Sequence, residues 1–215
     1  MATRVHPNTA AAAPDETAAT TVPPPPTVLT VWRKSLLFNC AGYTVFDARG
    51  DLAFRVDCYG SAASRSRREV VLMDAAGAPL LTVRRRSRLR GLLLARSSRR
   101  RWAIYDGDAA ADAKPLLSVR RGGGGDKTLA HVAAPRLELG PCGAEAATAA
   151  YVVEGSYRQR ACAVRDARGG AVVAEVRRKE SVGDDVFRLV VADPRLMGAP
   201  LAMGLLISLD QMFGR

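Results

Sequence analysis

From Val28 onward the apolar positions come in short β-type runs punctuated by turns. Tyr43-Thr44-Val45-Phe46 leads into Asp47-Ala48-Arg49-Gly50 and then Leu52-Ala53-Phe54-Arg55-Val56. The plan returns at Val70-Val71-Leu72-Met73, Asp74-Ala75-Ala76-Gly77 and Leu80-Leu81-Thr82-Val83. It returns again at Ala161-Cys162-Ala163-Val164, Arg165-Asp166-Ala167-Arg168-Gly169-Gly170 and Val172-Val173-Ala174-Glu175-Val176. Each copy reads strand, Asp-x-x-Gly turn, strand: the Asp caps the turn through nearby backbone and the Gly supplies a positive φ. A tight turn between β-rich runs predicts a hairpin. Further strand candidates are Leu29–Trp32, Trp102–Tyr105, Leu116–Val119, Tyr151–Val153 and Val186–Val191. About ten to twelve short strands in one domain predict a sandwich or a closed barrel.

The pattern changes at the carboxyl end. Asp193-Pro194 fits a helix start, with Asp as N-cap and Pro at the first position. Leu196 to Leu209 then carries no charge over fourteen residues, short of the roughly twenty that span a bilayer. A helix apolar on every side must be buried, which predicts that it threads the barrel. Gly198, Pro200 and Gly204 lower helix propensity, but small residues also let strands approach closely. At the other end, residues 1–27 are rich in Ala, Thr and Pro and finish in Pro23-Pro24-Pro25-Pro26-Thr27. They show no hydrophobic period, which predicts a disordered tail ahead of one domain over residues 28–215. A targeting role for the tail stays open, although Asp15, Glu16 and a single Arg disfavour a transit peptide.

Charge alters the picture at one place. The net charge is +11, and residues 84 to 101 hold nine Arg and no acid, so the remainder carries only +2. These are Arg84, Arg85, Arg86, Arg88, Arg90, Arg96, Arg99, Arg100 and Arg101, the candidate anion-binding residues. Arg pairs phosphate through a planar fork, and Leu92-Leu93-Leu94 between two Arg groups suits a membrane surface better than a duplex. Three readings stay open: an anionic phospholipid surface, nucleic acid or nuclear import, and a solvated basic hairpin. Phosphorylation of Ser87, Ser97 or Ser98 would weaken anion binding.

No catalytic or cofactor-binding constellation emerges. His6 and His131 lack nucleophile or base partners, and neither a G-x-S-x-G elbow nor an H-E-x-x-H motif is present. Gly125-Asp126-Lys127-Thr128 fails the phosphate-loop spacing, and Asp184-Asp185 alone does not make a calcium site. Cys40, Cys58, Cys142 and Cys162 have no C-x-x-C spacing and no nearby His, so no metal is expected. The absence of an apolar leader segment and the free thiols point to the cytoplasm.

At this point the residues resemble a known family. The run from Phe38 to Gly50, the segment Phe54-Arg55-Val56-Asp57, the run from Val71 to Arg85 with its Leu72-Met73-Asp74 block, and Gly204 to Met212 with Leu209-Asp210-Gln211-Met212 are similar to the LURP-one-related proteins of plants. The resemblance covers about residues 28–212. It implies a tubby C-terminal-like fold, a twelve-stranded antiparallel closed barrel around a buried hydrophobic helix, and kinship with phospholipid scramblases and with tubby proteins, which are phosphoinositide-tethered. It further implies an association with basal defence against pathogens, with no agreed biochemical activity, and the chain itself reads as non-enzymatic. The Arg-rich stretch and the Gly122–Gly125 segment depart from the family pattern, and no motif aligns tubby's lipid-binding residues here. The resulting expectation is a monomeric, mainly β binding or signalling protein without a cofactor, at the plasma membrane or in the nucleus, with anionic phospholipid as partner. The alternatives are a nucleic-acid-associated regulator and a scramblase-like lipid handler.

Overall fold

The fold is seen in a computed structural model that describes residues 24–36, 41–58, 69–86, 101–110, 113–123, 127–134, 149–179, 183 and 185–214. Twelve strands precede one helix: β1 (Thr27–Trp32), β2 (Ala41–Phe46), β3 (Leu52–Cys58), β4 (Glu69–Asp74), β5 (Pro79–Arg85), β6 (Arg101–Asp106), β7 (Leu117–Arg121), β8 (Thr128–Ala133), β9 (Ala149–Ser156), β10 (Ala161–Asp166), β11 (Val172–Arg178), β12 (Val186–Val191) and α1 (Ala199–Phe213). Each strand pairs antiparallel with its neighbours in sequence, and β1 closes the sheet on β12 with Thr27 opposite Val191 and Trp32 opposite Val186. The product is an up-and-down barrel without a free edge, as the sequence predicts.

The three repeated hairpins share one local design. Gly50 and Gly77 adopt φ of +91° and +94°, and each donates its N–H to the carbonyl of the Asp that opens its turn. The Asp47 carboxylate accepts from the backbone of Arg49 and Asp51, and that of Asp74 from the backbone of Ala78. In the third copy the positive φ falls on Gly170, one residue later, while Gly169 donates to the Asp166 carboxylate. A register shift next to the turn accompanies all three, the bulge that lets a short loop follow the sheet's twist.

Inward and outward positions alternate along the wall. Leu29 and Val31 face the interior, as do Val70 and Leu72, and Phe187, Leu189 and Val191. About eight strands already enclose a lumen that side chains can fill, so twelve leave room for more. Helix α1 occupies it. Ala202 through Asp210 are all buried, and the helix packs on β5, β6, β7 and β12. It begins later than the sequence predicts. Asp193 does not cap it but closes a preceding turn, its carboxylate accepting from the Arg195 N–H and its carbonyl from Leu196 and Met197. Gly198 is the N-cap, with Pro200 in the first turn. The cause is Pro200: it has no N–H, and its ring would collide with the Leu196 carbonyl of a helix continued backward. That carbonyl accepts the Tyr151 hydroxyl instead.

Strand β8 is absent from the sequence prediction, and Leu116 lies just ahead of β7 rather than in it.

At Gly204 the helix lies close against β5 and β6. A Cβ there would lie 3.2 Å from both Ile104 Cγ2 and Leu81 Cδ1. Gly204→Leu should therefore overpack the lumen and cost about 1–3 kcal/mol, read as a lower urea midpoint at unchanged slope. A midpoint equal to wild type would show that α1 does not fill the barrel closely.

Candidate functional site

An up-and-down barrel sorts its connections onto two rims. Those leaving odd-numbered strands share one rim and those leaving even-numbered strands share the other. The two differ in charge. The even-strand rim carries Asp47, Asp51, Asp74, Asp106, Asp108, Asp166 and Asp193 against Arg49, Lys114, Arg168 and Arg195. The odd-strand rim draws cations from five connections, Arg33 and Lys34, then Arg85, Arg86 and Arg101, then Arg120, Arg121 and Lys127, then Arg158 and Arg160, then Arg178 and Lys179, against Asp57, Glu69, Asp185 and Asp210.

The candidate arginines divide on this frame. Arg84 lies within β5 and is occupied internally: its Nε reaches Glu69, and its two terminal nitrogens donate to the carbonyls of Ala109 and Ala110. Its guanidinium also sits 5.5 Å from the Tyr105 ring centre. Arg85 ends β5, Arg86 follows it, and Arg101 opens β6; the Arg86 N–H donates to the Arg101 carbonyl at 3.0 Å. Among the described residues no acid pairs with Arg85, Arg86 or Arg101. Arg88, Arg90, Arg96, Arg99 and Arg100, with Leu92–Leu94 and the three serines, lie outside the described residues, in the connection that leaves and rejoins this rim.

Beneath the rim is a buried polar cluster that sequence reasoning missed. Asp210, in the last turns of α1, accepts hydrogen bonds from the hydroxyls of Tyr43 and Tyr157. Arg33 Nε lies 3.5 Å and Arg160 Nη1 3.9 Å from its carboxylate. Arg33 also donates to the Gly214 carbonyl at 2.8 Å, and Arg121 stacks on Phe213 at 4.6 Å. Three cations thus surround the helix carboxyl end, where the macrodipole is negative. Arg160 is buried between the rings of Tyr157 and Phe187, 4.7 and 4.2 Å from their centres. It adopts φ +53° in the β9–β10 turn, a left-handed conformation costing about 1 kcal/mol or more for a non-glycine residue, offset by these contacts. Burial first, and then the neighbouring Asp210 charge, hold the phenols of Tyr43 and Tyr157 well above their usual ionisation range. A carboxylate inside an apolar lumen requires such partners; the one signal in the sequence was a lone Asp ending a fully apolar helix.

Other candidates find structural settings. His131 lies on β8 opposite Arg120 and Val152. Cys162 is a free thiol buried in β10, pushed up to about 12 by burial. Cys40, Cys142, His6 and Asp184 lie outside the described residues. Among the described residues no three His, Cys, Asp or Glu side chains gather as metal ligands, and no helix is long and apolar enough to cross a membrane.

A closed twelve-strand barrel with a helix sealed in its lumen is the tubby-like class of fold. The model of the LURP-one-related family matches residues 27–210. Protein LURP-one-related 8 of Arabidopsis thaliana is 41% identical over 196 residues, which cover 86% of this chain and 87% of that protein. Protein LURP-one-related 5 of the same plant is 40% identical over 194 residues, covering 86% and 83%. The chain belongs to the LURP-one-related family. The solved X-ray structure of an Arabidopsis thaliana protein superposes with a TM-score of 0.56 at 20% identity, covering 87% of this chain and 93% of that one, which bears on the fold alone.

The tyrosine pair sets an alkaline limit on stability. Both phenols ionise near pH 10 in an unfolded chain but keep their protons to higher pH in the barrel. The folded state then binds more protons, so stability is full below about pH 10 and falls as pH rises further. Urea midpoints measured from neutral to strongly alkaline pH should show this fall. A Tyr43→Phe, Tyr157→Phe variant should start lower, through the lost Asp210 hydrogen bonds, and decline less steeply; equal slopes would refute the assignment.

Cys162 should be inert for the same reason of burial. Iodoacetamide added to the native protein at neutral pH should leave it unmodified in a peptide map, whereas urea should expose it to alkylation. Native labelling would contradict the packing described.

Proposed function

We propose that this protein is a non-enzymatic binding protein whose odd-strand rim docks on an anionic phospholipid surface, in a defence or signalling role at the cytoplasmic face of the plasma membrane. The observation that carries this reading is the segregation of charge. Among the described residues one rim sets twelve cations against Asp57, Glu69, Asp185 and Asp210, while the opposite rim sets seven aspartates against four cations, so the barrel has a dipole that orients it toward a negative surface. A flat lipid leaflet meets a rim of this kind at many points at once. Each basic residue near such a leaflet contributes about 1 kcal/mol.

Support also comes from what the rim lacks. No acid among the described residues neutralises Arg85, Arg86 or Arg101. Helix α1, which a lipid transporter would need as a span, is too short for one and fills the barrel. Arg84 is left out of the docking set, because its three donating nitrogens hold Glu69 and two backbone carbonyls.

Co-sedimentation with phosphatidylcholine vesicles containing phosphatidylserine, or phosphatidylinositol bisphosphate, tests the reading across salt. Replacing Arg85, Arg86, Arg99, Arg100 and Arg101 with Gln should weaken binding by about 5000-fold at low salt, while Arg49→Gln with Arg168→Gln on the opposite rim should change it little. Unaltered binding by the five-fold variant would exclude the rim. Tighter binding to duplex DNA than to vesicles at the same salt would favour a nucleic-acid-associated regulator instead.

A further inference from the structure

The first connection of the odd-strand rim holds more than charge. Trp32, Leu36 and Leu196 are the large apolar side chains that stand exposed among the described residues, at 37%, 51% and 51%. Leu196 is alone on the opposite rim. Trp32 and Leu36 lie four residues apart on the basic rim, with Arg33 and Lys34 between them.

Their arrangement is ordered. The strand alternation of β1, with Val31 inward and Trp32 outward, continues past the strand's end. Arg33 turns toward Asp210 and the Gly214 carbonyl. Ser35 is buried and donates its hydroxyl to the Asp57 carboxylate at 2.5 Å. The Lys34 carbonyl accepts the Thr44 hydroxyl at 2.8 Å, and the Arg33 N–H donates to the Asp185 carbonyl at 2.8 Å. Trp32, Lys34 and Leu36 are therefore left outward on a backbone fastened to β2, β3, the β11–β12 connection and the end of α1. The Lys34 ammonium lies over the Trp32 ring at 5.3 Å, capping an apolar face with a charge.

We infer that Trp32 and Leu36 are an interfacial anchor that enters the headgroup layer of an anionic bilayer when the basic rim docks. This rests on the lipid-surface reading above and adds the element that discriminates a bilayer from a soluble polyanion. Single exposed apolar residues are ordinary on protein surfaces. An exposed Trp and Leu interleaved with Lys on the cationic rim of a polarised barrel form the amphipathic set that membrane interfaces select: a ring for the headgroup level, an aliphatic chain beneath it and an ammonium that reaches lipid phosphate. Because the segment is held before binding, little ordering entropy opposes insertion.

The chain has two tryptophans, and Trp102 is buried at 4% exposure, so a change in emission on binding reports Trp32. The experiment titrates the full chain with phosphatidylcholine–phosphatidylserine vesicles, with and without shallow doxyl-labelled lipid, and measures pelleting in parallel. The expected result is a blue shift and quenching that track pelleting. Trp32→Thr and Leu36→Ser should each weaken partitioning about tenfold, and Leu196→Ser should leave it unchanged. Leu36→Ser lies outside any strand, so it tests the anchor even where Trp32→Thr perturbs folding. Inositol hexakisphosphate should bind without the blue shift. Pelleting with unshifted emission, or with Leu36→Ser at wild-type affinity, would overturn the anchor and leave the basic rim standing. No pelleting of the wild type would overturn both.

Discussion

A closed sheet of twelve strands is too wide to fill with its own side chains, and everything else in this fold answers that constraint. Barrels of about eight strands can pack their interiors from the wall alone. Here a fifteen-residue helix does the work, and the consequence for its composition is strict. Strands surround it on every side, so no face can be polar along most of its length. Gly204 admits β5 and β6 at close range, and the bulkier Leu205, Leu206, Ile207 and Leu209 fill the rest of the lumen.

The same constraint explains where charge is tolerated. Asp210 sits one turn from the helix end, inside the wall, and its carboxylate is held by two phenols and two guanidiniums drawn from β2, the β1–β2 connection and the β9–β10 turn. Removing one member would strand the rest in a low-dielectric site, which is why such clusters are costly to break even where their net contribution to stability is small. The cluster fixes the depth of the helix in the lumen and joins it to the rim. Arg33 is the physical link, since one side chain contacts both the buried carboxylate and the carbonyl of Gly214, the C-cap of the helix.

Much of the architecture was legible in the sequence because its signals are local. The Asp-x-x-Gly turns specify their hairpins through bonds within five residues, and the uncharged run to Leu209 declares its burial by composition. Strand β8 was illegible for a related reason: in Thr128-Leu129-Ala130-His131-Val132-Ala133 the inward positions are Ala130 and Val132, too small a contrast with their neighbours to announce a period. The helix start was misread because Asp193-Pro194 and Gly198-Ala199-Pro200 both carry start signals, and only the steric demand of the second proline separates them. For the site, the Arg-rich run was visible but its division was not. That Arg84 faces Glu69 and two carbonyls, while Arg85, Arg86 and Arg101 stand at the rim, depends on a strand register no composition reveals. The Asp210 cluster joins residues up to 177 positions apart, beyond any local pattern.

Why the cationic rim is also the rim where the helix ends follows from electrostatics. An antiparallel barrel has almost no net strand dipole, so the threaded helix supplies the fold's one directional field, negative at its carboxyl end. Asp210 adds a full charge there. Cations gathered around that end are stabilised by both, which allows the rim a density of Arg and Lys that would otherwise repel itself. The inner members, Arg33, Arg121 and Arg160, are held by the helix end and its carboxylate, leaving Arg85, Arg86 and Arg101 on the outside. A basic surface built in this way is a consequence of how the core is filled: the element that closes the lumen also sets the polarity of the barrel, and the segment that latches it, Trp32 to Leu36, carries the large apolar side chains that stand exposed on that rim among the described residues.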